Sequence, residues 1–406
     1  MTHATLAWPG VLLLVCVLAC LPACGQINSQ MSRPEIAARV RQFDANKDGQ
    51  VTREEFRGPE NVFRFIDRNG DGVITAEELT AFVNAAPQQG AAGAQTAGAP
   101  VGSIPVDVKP LSAMSATDRY KGEDGGLYGQ GQNTPPPAHL QAALDQARQI
   151  QPLDGDGNPS PQGKIGFISF GMSNTTQEFQ VFLHDVAPLK LSPNLVIVDG
   201  AQGGMEATAW AKETKSQQGR GPTAWEELAN RLHARDLSAR QVQVVWMKLA
   251  VAGPARDGAY PAHVQRFREL VTTCLQKLKS RYPSVRLVYL SNRIYAGYAT
   301  TELNPEPYAY EYAFGLRQLI LDQIAGKPEL NYDPAKGEAK SALLMWGPDL
   351  WANGATPRAD GLAWQKEDLG PDGTHPSLSG REKVAQLLLR FLRTEPTARL
   401  WFVEQP

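Results

Sequence analysis

The chain has 406 residues, enough for two or three domains, and its 42% hydrophobic and 20% charged residues are the balance of a folded globular protein. A net charge of -2 excludes the basic footprint of a nucleic-acid binder or of a protein held to an anionic membrane by charge. Cys16, Cys20 and Cys24 fall in the first 24 residues and Cys274 stands alone, so no internal disulfide framework is expected.

In chain order, residues 1–24 come first. Gly10 to Leu21 is almost wholly apolar, too short for a membrane span, and followed by small residues, which predicts a signal peptide. Leu21-Pro22-Ala23-Cys24 resembles a bacterial lipobox, which implies a membrane anchor through lipidated Cys24; plain cleavage would release a secreted product. Either outcome places the protein outside the cytoplasm, in the cell envelope or beyond it.

Residues 31–84 form a small, charged, periodic unit. Asp44-Ala45-Asn46-Lys47-Asp48-Gly49-Gln50-Val51-Thr52-Arg53-Glu54-Glu55 and Asp67-Arg68-Asn69-Gly70-Asp71-Gly72-Val73-Ile74-Thr75-Ala76-Glu77-Glu78 share one layout. Ca²⁺ is a hard ion that takes six to eight oxygens, so side chains at loop positions 1, 3, 5 and 12 must converge on it, with a backbone carbonyl at position 7. Asp44, Asn46, Asp48, Gln50 and Glu55 fill those positions in loop one, and Asp67, Asn69, Asp71, Val73 and Glu78 in loop two. This segment resembles the EF-hand family, which implies two calcium sites on a small all-α pair. Val51 and Ile74 are expected to pair across the loops.

Residues 85–109 are rich in Ala, Gly, Gln and Pro and read as a flexible linker. Residues 110–163 read as an ordered arm on the next domain, with a short helix near 138–150. From 164 to 400, strands are predicted at 165–170, 194–199, 241–248, 285–290 and 342–346, alternating with helices at 175–186, 222–234, 260–281, 308–325 and 377–392. Continuous apolar strands separated by helices mean a parallel sheet covered on both faces.

Lys164 to Asn174 is a buried strand, a glycine turn and a serine opening a helix, which holds Ser173 at the carboxyl edge of the sheet. Asp372-Gly373-Thr374-His375-Pro376 precedes the last long helix and offers a base, His375, with an orienting carboxylate, Asp372. In that order the landmarks are similar to the SGNH (GDSL-like) hydrolases, a three-layer α/β/α family with a flavodoxin-like sheet. The resemblance implies Ser173 as nucleophile and Gly203 or Gly204, in Asp199-Gly200-Ala201-Gln202-Gly203-Gly204, as oxyanion donor. The family's third-block Gly-x-Asn-Asp is missing: strand three ends Trp246-Met247-Lys248, leaving Lys248 or Asn292 as stand-ins. Tyr295, Tyr298, Trp346, Trp351 and Trp364 are candidates for a cleft that stacks on sugar, and Arg293 for an anionic substrate group. The reading is an exported serine esterase acting on an acylated small molecule or glycan; the alternative is a non-catalytic, calcium-dependent envelope binding protein on the same fold.

Overall fold

The computed structural model describes residues 33–58, 62, 63, 66, 67, 72–84, 100–215 and 221–404. The expected signal peptide with Cys24, and the loop-two residues Asn69 and Asp71, lie outside them. The described residues fall into two compact units, 33–84 and 100–404.

In the first unit, helix α1 (Arg33–Val40) leads into loop one, strand β1 (Val51–Thr52) pairs antiparallel with β2 (Val73–Ile74), and α2 (Ala76–Asn84) leaves loop two. Val51 faces Ile74 in that pairing. Val40, Phe43, Phe56, Phe63, Ile66, Leu79 and Phe82 join them in a core of the unit's own.

The second unit is built on five parallel strands: β3 (Ile165–Gly171), β4 (Leu195–Val198), β5 (Val242–Lys248), β6 (Leu287–Leu290) and β7 (Leu343–Trp346). Their order across the sheet is β4-β3-β5-β6-β7, the flavodoxin-like arrangement. Side chains alternate faces along a strand, so a sheet covered twice needs apolar residues at every position. Phe167, Val244, Trp246, Leu287 and Tyr289 pack with helices α3 (Pro137–Arg148), α4 (Ser173–Val186), α9 (Leu378–Thr394) and α10 (Pro396–Phe402). Ile168, Phe170, Val245, Met247 and Val288 pack with α5 (Ala207–Lys212), α6 (Ala224–His233), α7 (Ala262–Arg281) and α8 (Tyr308–Ile324). Three layers, α/β/α, result.

Two differences from the sequence reading concern this unit. Residues 100–109, expected as linker, pack on it: Val101 N–H bonds the Ala299 carbonyl at 2.9 Å and Ile104 is buried. The short helices α5 and α10 were not foreseen, because six or seven residues carry too few turns to show a period. Cys274 is a buried free thiol on α7. Among the described residues, no helix is long and apolar enough to cross a membrane.

Candidate active site

The sheet order reverses direction between β3 and β5, and ligands of open α/β sheets dock beyond the carboxyl ends of the strands at such a point. Ser173 sits there, as the first residue of α4, two residues past β3. The turn is tight because Gly171 lies against β5: a Cβ on it would come within 2.3 Å of the Lys248 carbonyl and 2.4 Å of Thr175 Oγ1. Thr175 Oγ1 accepts from Met172 N–H at 3.3 Å and donates to that same carbonyl at 2.8 Å, which ties the helix start to the neighbouring strand.

His375 Nε2 lies 2.8 Å from Ser173 Oγ, and His375 Nδ1 lies 2.6 Å from Asp372 Oδ2. The other carboxylate oxygen, Oδ1, accepts the backbone N–H groups of Thr374 and His375, both at 3.0 Å. Burial pushes the Asp372 carboxyl up, but the hydrogen bonds from the imidazole and from those backbone amides outweigh it and hold it below the usual carboxylate range. Asp372 therefore stays an acceptor toward Nδ1, which fixes the tautomer that leaves Nε2 free to take a proton from Ser173.

The turn bearing this pair is clamped from two sides. Asn174 Nδ2 donates to the Thr374 carbonyl at 2.9 Å, so the residue after the serine holds the histidine loop. On the other side Thr300 N–H bonds the Asp372 carbonyl at 2.9 Å. Gly373 has φ +61°, and a Cβ there would fall 1.8 Å from the Tyr298 carbonyl, so the position admits only glycine. Nothing in the chain order marked Asn174 or Thr300 for this duty.

Gly203 and Gly204 lie exposed on the loop after β4, and Gly204 takes the left-handed conformation at φ +78°. The loop is brought to the serine turn by the Gln202 N–H, which bonds the Gly171 carbonyl at 3.1 Å. Behind it, Ser169 Oγ accepts from the amides of Gly200 and Ala201 and donates to Asp199.

The two stand-ins for the absent third-block asparagine are committed elsewhere. Lys248 is fully buried and its ammonium bonds both oxygens of Glu178, itself fully buried on α4. Asn292 donates to Asp349 and accepts from Leu350 N–H, both at 2.7 Å, and so ties the end of β6 to the loop after β7. The expected aromatic cleft is also revised. Trp346, Trp351 and Trp364 are core residues, as large rings usually are, while Tyr295 and Tyr298 are half-buried and pack edge to face at 5.2 Å. Arg293, the candidate for an anionic substrate group, is buried.

In calcium loop one, Asp44 accepts from the amides of Lys47 (2.7 Å) and Gly49 (3.0 Å), Asp48 Oδ1 accepts from Gln50 N–H at 2.8 Å, and Glu55 reaches back to the amides of Ala45 and Asn46. In loop two, Asp67 accepts from Gly72 N–H at 3.1 Å and Glu78 from Thr75 N–H at 3.0 Å. Gly49 and Gly72 adopt matching left-handed turns, φ +86° and +85°. Among the described residues, no three His, Cys, Asp or Glu side chains are gathered into a metal cage. Loop one's donors are nonetheless all oxygens, three carboxylates, an amide and a backbone carbonyl, which is the set a calcium ion takes.

A family model described as EF hand matches residues 39–58 and 60–83. Residues 39–83 are a calcium-binding EF-hand region. The match covers both EF-hand loops, while the sheet unit has its likenesses among solved structures. One is a protein described as an acylhydrolase from Bacteroides fragilis NCTC 9343: 14% identity, 66% of this chain and 100% of that chain covered, TM-score 0.34. Another is described as an arylesterase from Agrobacterium tumefaciens: 15% identity, 56% and 98% covered, TM-score 0.33. A third is a carbohydrate esterase: 12% identity, 59% and 68% covered, TM-score 0.31. No curated protein matches the sequence.

Proposed function

We propose that residues 100–404 are a serine ester hydrolase carried on an exported, calcium-binding chain. The observation that carries the proposal is the unbroken hydrogen-bonded series from Ser173 through His375 to Asp372, at the point of the sheet where substrates dock. In the proposed reaction Ser173 Oγ attacks the ester carbonyl as its proton passes to His375 Nε2. The imidazolium, steadied by Asp372, gives that proton to the departing alcohol, and water then releases the acid by the same steps in reverse. The amide of Ser173, at the positive end of the 14-residue helix α4, and that of Gly203 or Gly204 are the oxyanion donors in this reading. None of these three amides bonds another described residue, which leaves them available.

The substrate class is an acyl ester of a small molecule or a glycan, and the apolar N-terminal stretch ending at Cys24 supports an envelope location with a lipid anchor. Calcium, bound at two sites, acts structurally or in regulation. Asp44, Asn46, Asp48, Glu55 and the Gln50 carbonyl are the loop-one ligands, and Asp67, Asn69, Asp71, Glu78 and the Val73 carbonyl those of loop two.

A second reading, a calcium-dependent binding protein without turnover, is favoured by one observation: Lys248 and Asn292 are both bonded away, so neither stand-in offers the third-block donor. Hydrolysis of p-nitrophenyl acetate and of an acetylated oligosaccharide by residues 25–406, beside Ser173→Ala, separates the two. The esterase reading requires activity that the substitution abolishes; equal rates for the two proteins on both esters would leave the binding reading. Repeating the assay with chelator shows whether calcium matters to turnover.

A further inference from the structure

The carboxyl edge of the sheet holds Ser173; the amino edge holds a cavity of about 540 Å³ that no step above uses. That volume falls within the about 300–1,000 Å³ of ordinary small-molecule sites. Its walls include the end of α3, the turn from α7 into β6, and the loop before β7.

Two cations line it, Lys279 in the last turn of α7 and Arg286 just before β6. The backbone of Arg286 is fixed in the sheet: its N–H bonds the Gln243 carbonyl at 2.8 Å, and its carbonyl accepts from Leu343 N–H at 3.0 Å. Its side chain reaches α3 and the residue after it, where Nη1 donates to Gln149 Oε1 at 2.8 Å and to Gln146 Oε1 at 3.3 Å. The Lys279 ammonium donates to the carbonyls of Pro283 and Val285, at 2.7 and 2.9 Å. All four acceptors are neutral, and neither cation has an ion pair among the described residues. The one carboxylate on the wall, Asp333, is engaged elsewhere: it accepts from Ala335 N–H at 3.0 Å and lies 3.8 Å from Lys336.

Donors are therefore left over. A guanidinium carries five N–H groups and an ammonium three. The Nε and Nη2 groups of Arg286 bond no other described residue, and they form the side of the fork that matches two oxygens of one carboxylate or phosphate. Lys279 keeps one N–H beyond its two carbonyls. Burial, and after it the charge of Arg286, push the Lys279 ammonium down to about 8, as expected of like charges held together partly out of water. The Gln151 amide and the Tyr332 hydroxyl, on the same walls, also bond no other described residue, which suits a ligand with hydroxyl groups.

We propose that this cavity binds a small organic anion, a carboxylate or phosphate on a hydroxylated body, with the Arg286 fork and the Lys279 ammonium as its charged donors. The proposal is independent of the esterase reading, since it concerns the opposite edge of the sheet and is read by binding rather than turnover.

The test is isothermal titration calorimetry of the full chain with glucuronate, with glucose 6-phosphate and, as the neutral control, with glucose, each at millimolar concentration. The native chain is compared with Arg286→Met, Lys279→Met and Ala339→Trp, the last filling the cavity from the loop before β7 while both cations stay in place. Hydrogen bonds to charged groups are strong enough that losing either cation should raise Kd about tenfold or more, and Ala339→Trp should abolish binding. Glucose should give no signal. Binding of either anion with those losses supports the proposal, and the anion that binds names the source of the charge. No binding of either anion to the native chain overturns it, as does glucose binding as tightly as the anions, or a Kd left unchanged by Arg286→Met or by Lys279→Met. Where either of those variants fails to fold, Ala339→Trp decides: lost binding supports the site and unchanged binding overturns it. Ester hydrolysis enters none of these readouts, so a failure of the Ser173 assignment leaves the result intact.

Discussion

Lys248 stands where the SGNH resemblance leads one to look for an oxyanion donor, and its partner Glu178 decides what it can do. Both side chains are fully buried, and the Lys248 ammonium is the hydrogen-bond partner of both Glu178 oxygens. Burial pushes Glu178 up, and pushes Lys248 down to about 8, against the mutual attraction of the pair. In Lys248→Met the carboxylate is left without a hydrogen-bond donor in the core, a change that costs about 3–5 kcal/mol. That is a large part of the 5–15 kcal/mol by which a typical domain is stable. The loss should shrink at lower pH, where Glu178 takes up a proton. Replacing both partners, Glu178→Leu with Lys248→Met, removes charge and counter-charge together and should recover most of the stability. Urea unfolding followed by tryptophan fluorescence reads the right unit, since seven of the eight tryptophans lie beyond residue 200. The double variant should also keep kcat within about tenfold. A cost under about 1 kcal/mol for Lys248→Met would refute the burial reasoning, and a stable but inactive double variant would mean that Lys248 serves the oxyanion after all.

Other outcomes follow from the same geometry. Asp372→Asn keeps an oxygen for the amides of Thr374 and His375 but presents an N–H to Nδ1, which turns the imidazole to the wrong tautomer; kcat should fall about 10³–10⁴-fold with KM and circular dichroism little changed. Burial raises the Asp199 carboxyl to about 6, against the hydrogen bonds from Ser169 and Thr176. A carboxyl raised in the fold contributes stability that is present below its unfolded value near 4 and lost as pH rises through 6. The native chain should therefore lose up to about 3 kcal/mol relative to Asp199→Asn between pH 4 and 7, and a gap that does not change with pH would contradict this. Calorimetry should find two calcium ions bound per chain, and Glu78→Gln should weaken one of them selectively; a single site, or none lost, would contradict the two-loop reading.

What the sequence revealed and what it concealed divide along a physical line. The five strands were legible because a sheet covered on both faces needs unbroken runs such as Leu195–Val198 and Val242–Lys248, and turns punctuate them. The Asp372-x-x-His375 turn was legible because the two residues interact over three positions of chain. Long-range partnerships were not. Glu178 finds Lys248 across 70 residues and Asn292 finds Asp349 across 57, and neither spacing carries a local signature. Arg293 read as a candidate for an anionic substrate group from its place after the fourth strand; only the fold shows that it is buried. Residues 100–109 read as linker for want of bulky side chains, yet backbone contacts hold them, and Gly102 packs so closely that a Cβ would sit 2.0 Å from the Glu306 carbonyl.

The most direct measurement of the central claim is labelling of residues 25–406 with a fluorophosphonate, followed by peptide mass mapping. A nucleophile activated by His375 should carry the adduct at Ser173, and labelling should vanish in His375→Ala. An intact, folded chain that stays unlabelled, or that reacts at another serine, would contradict the assignment of Ser173 as the nucleophile.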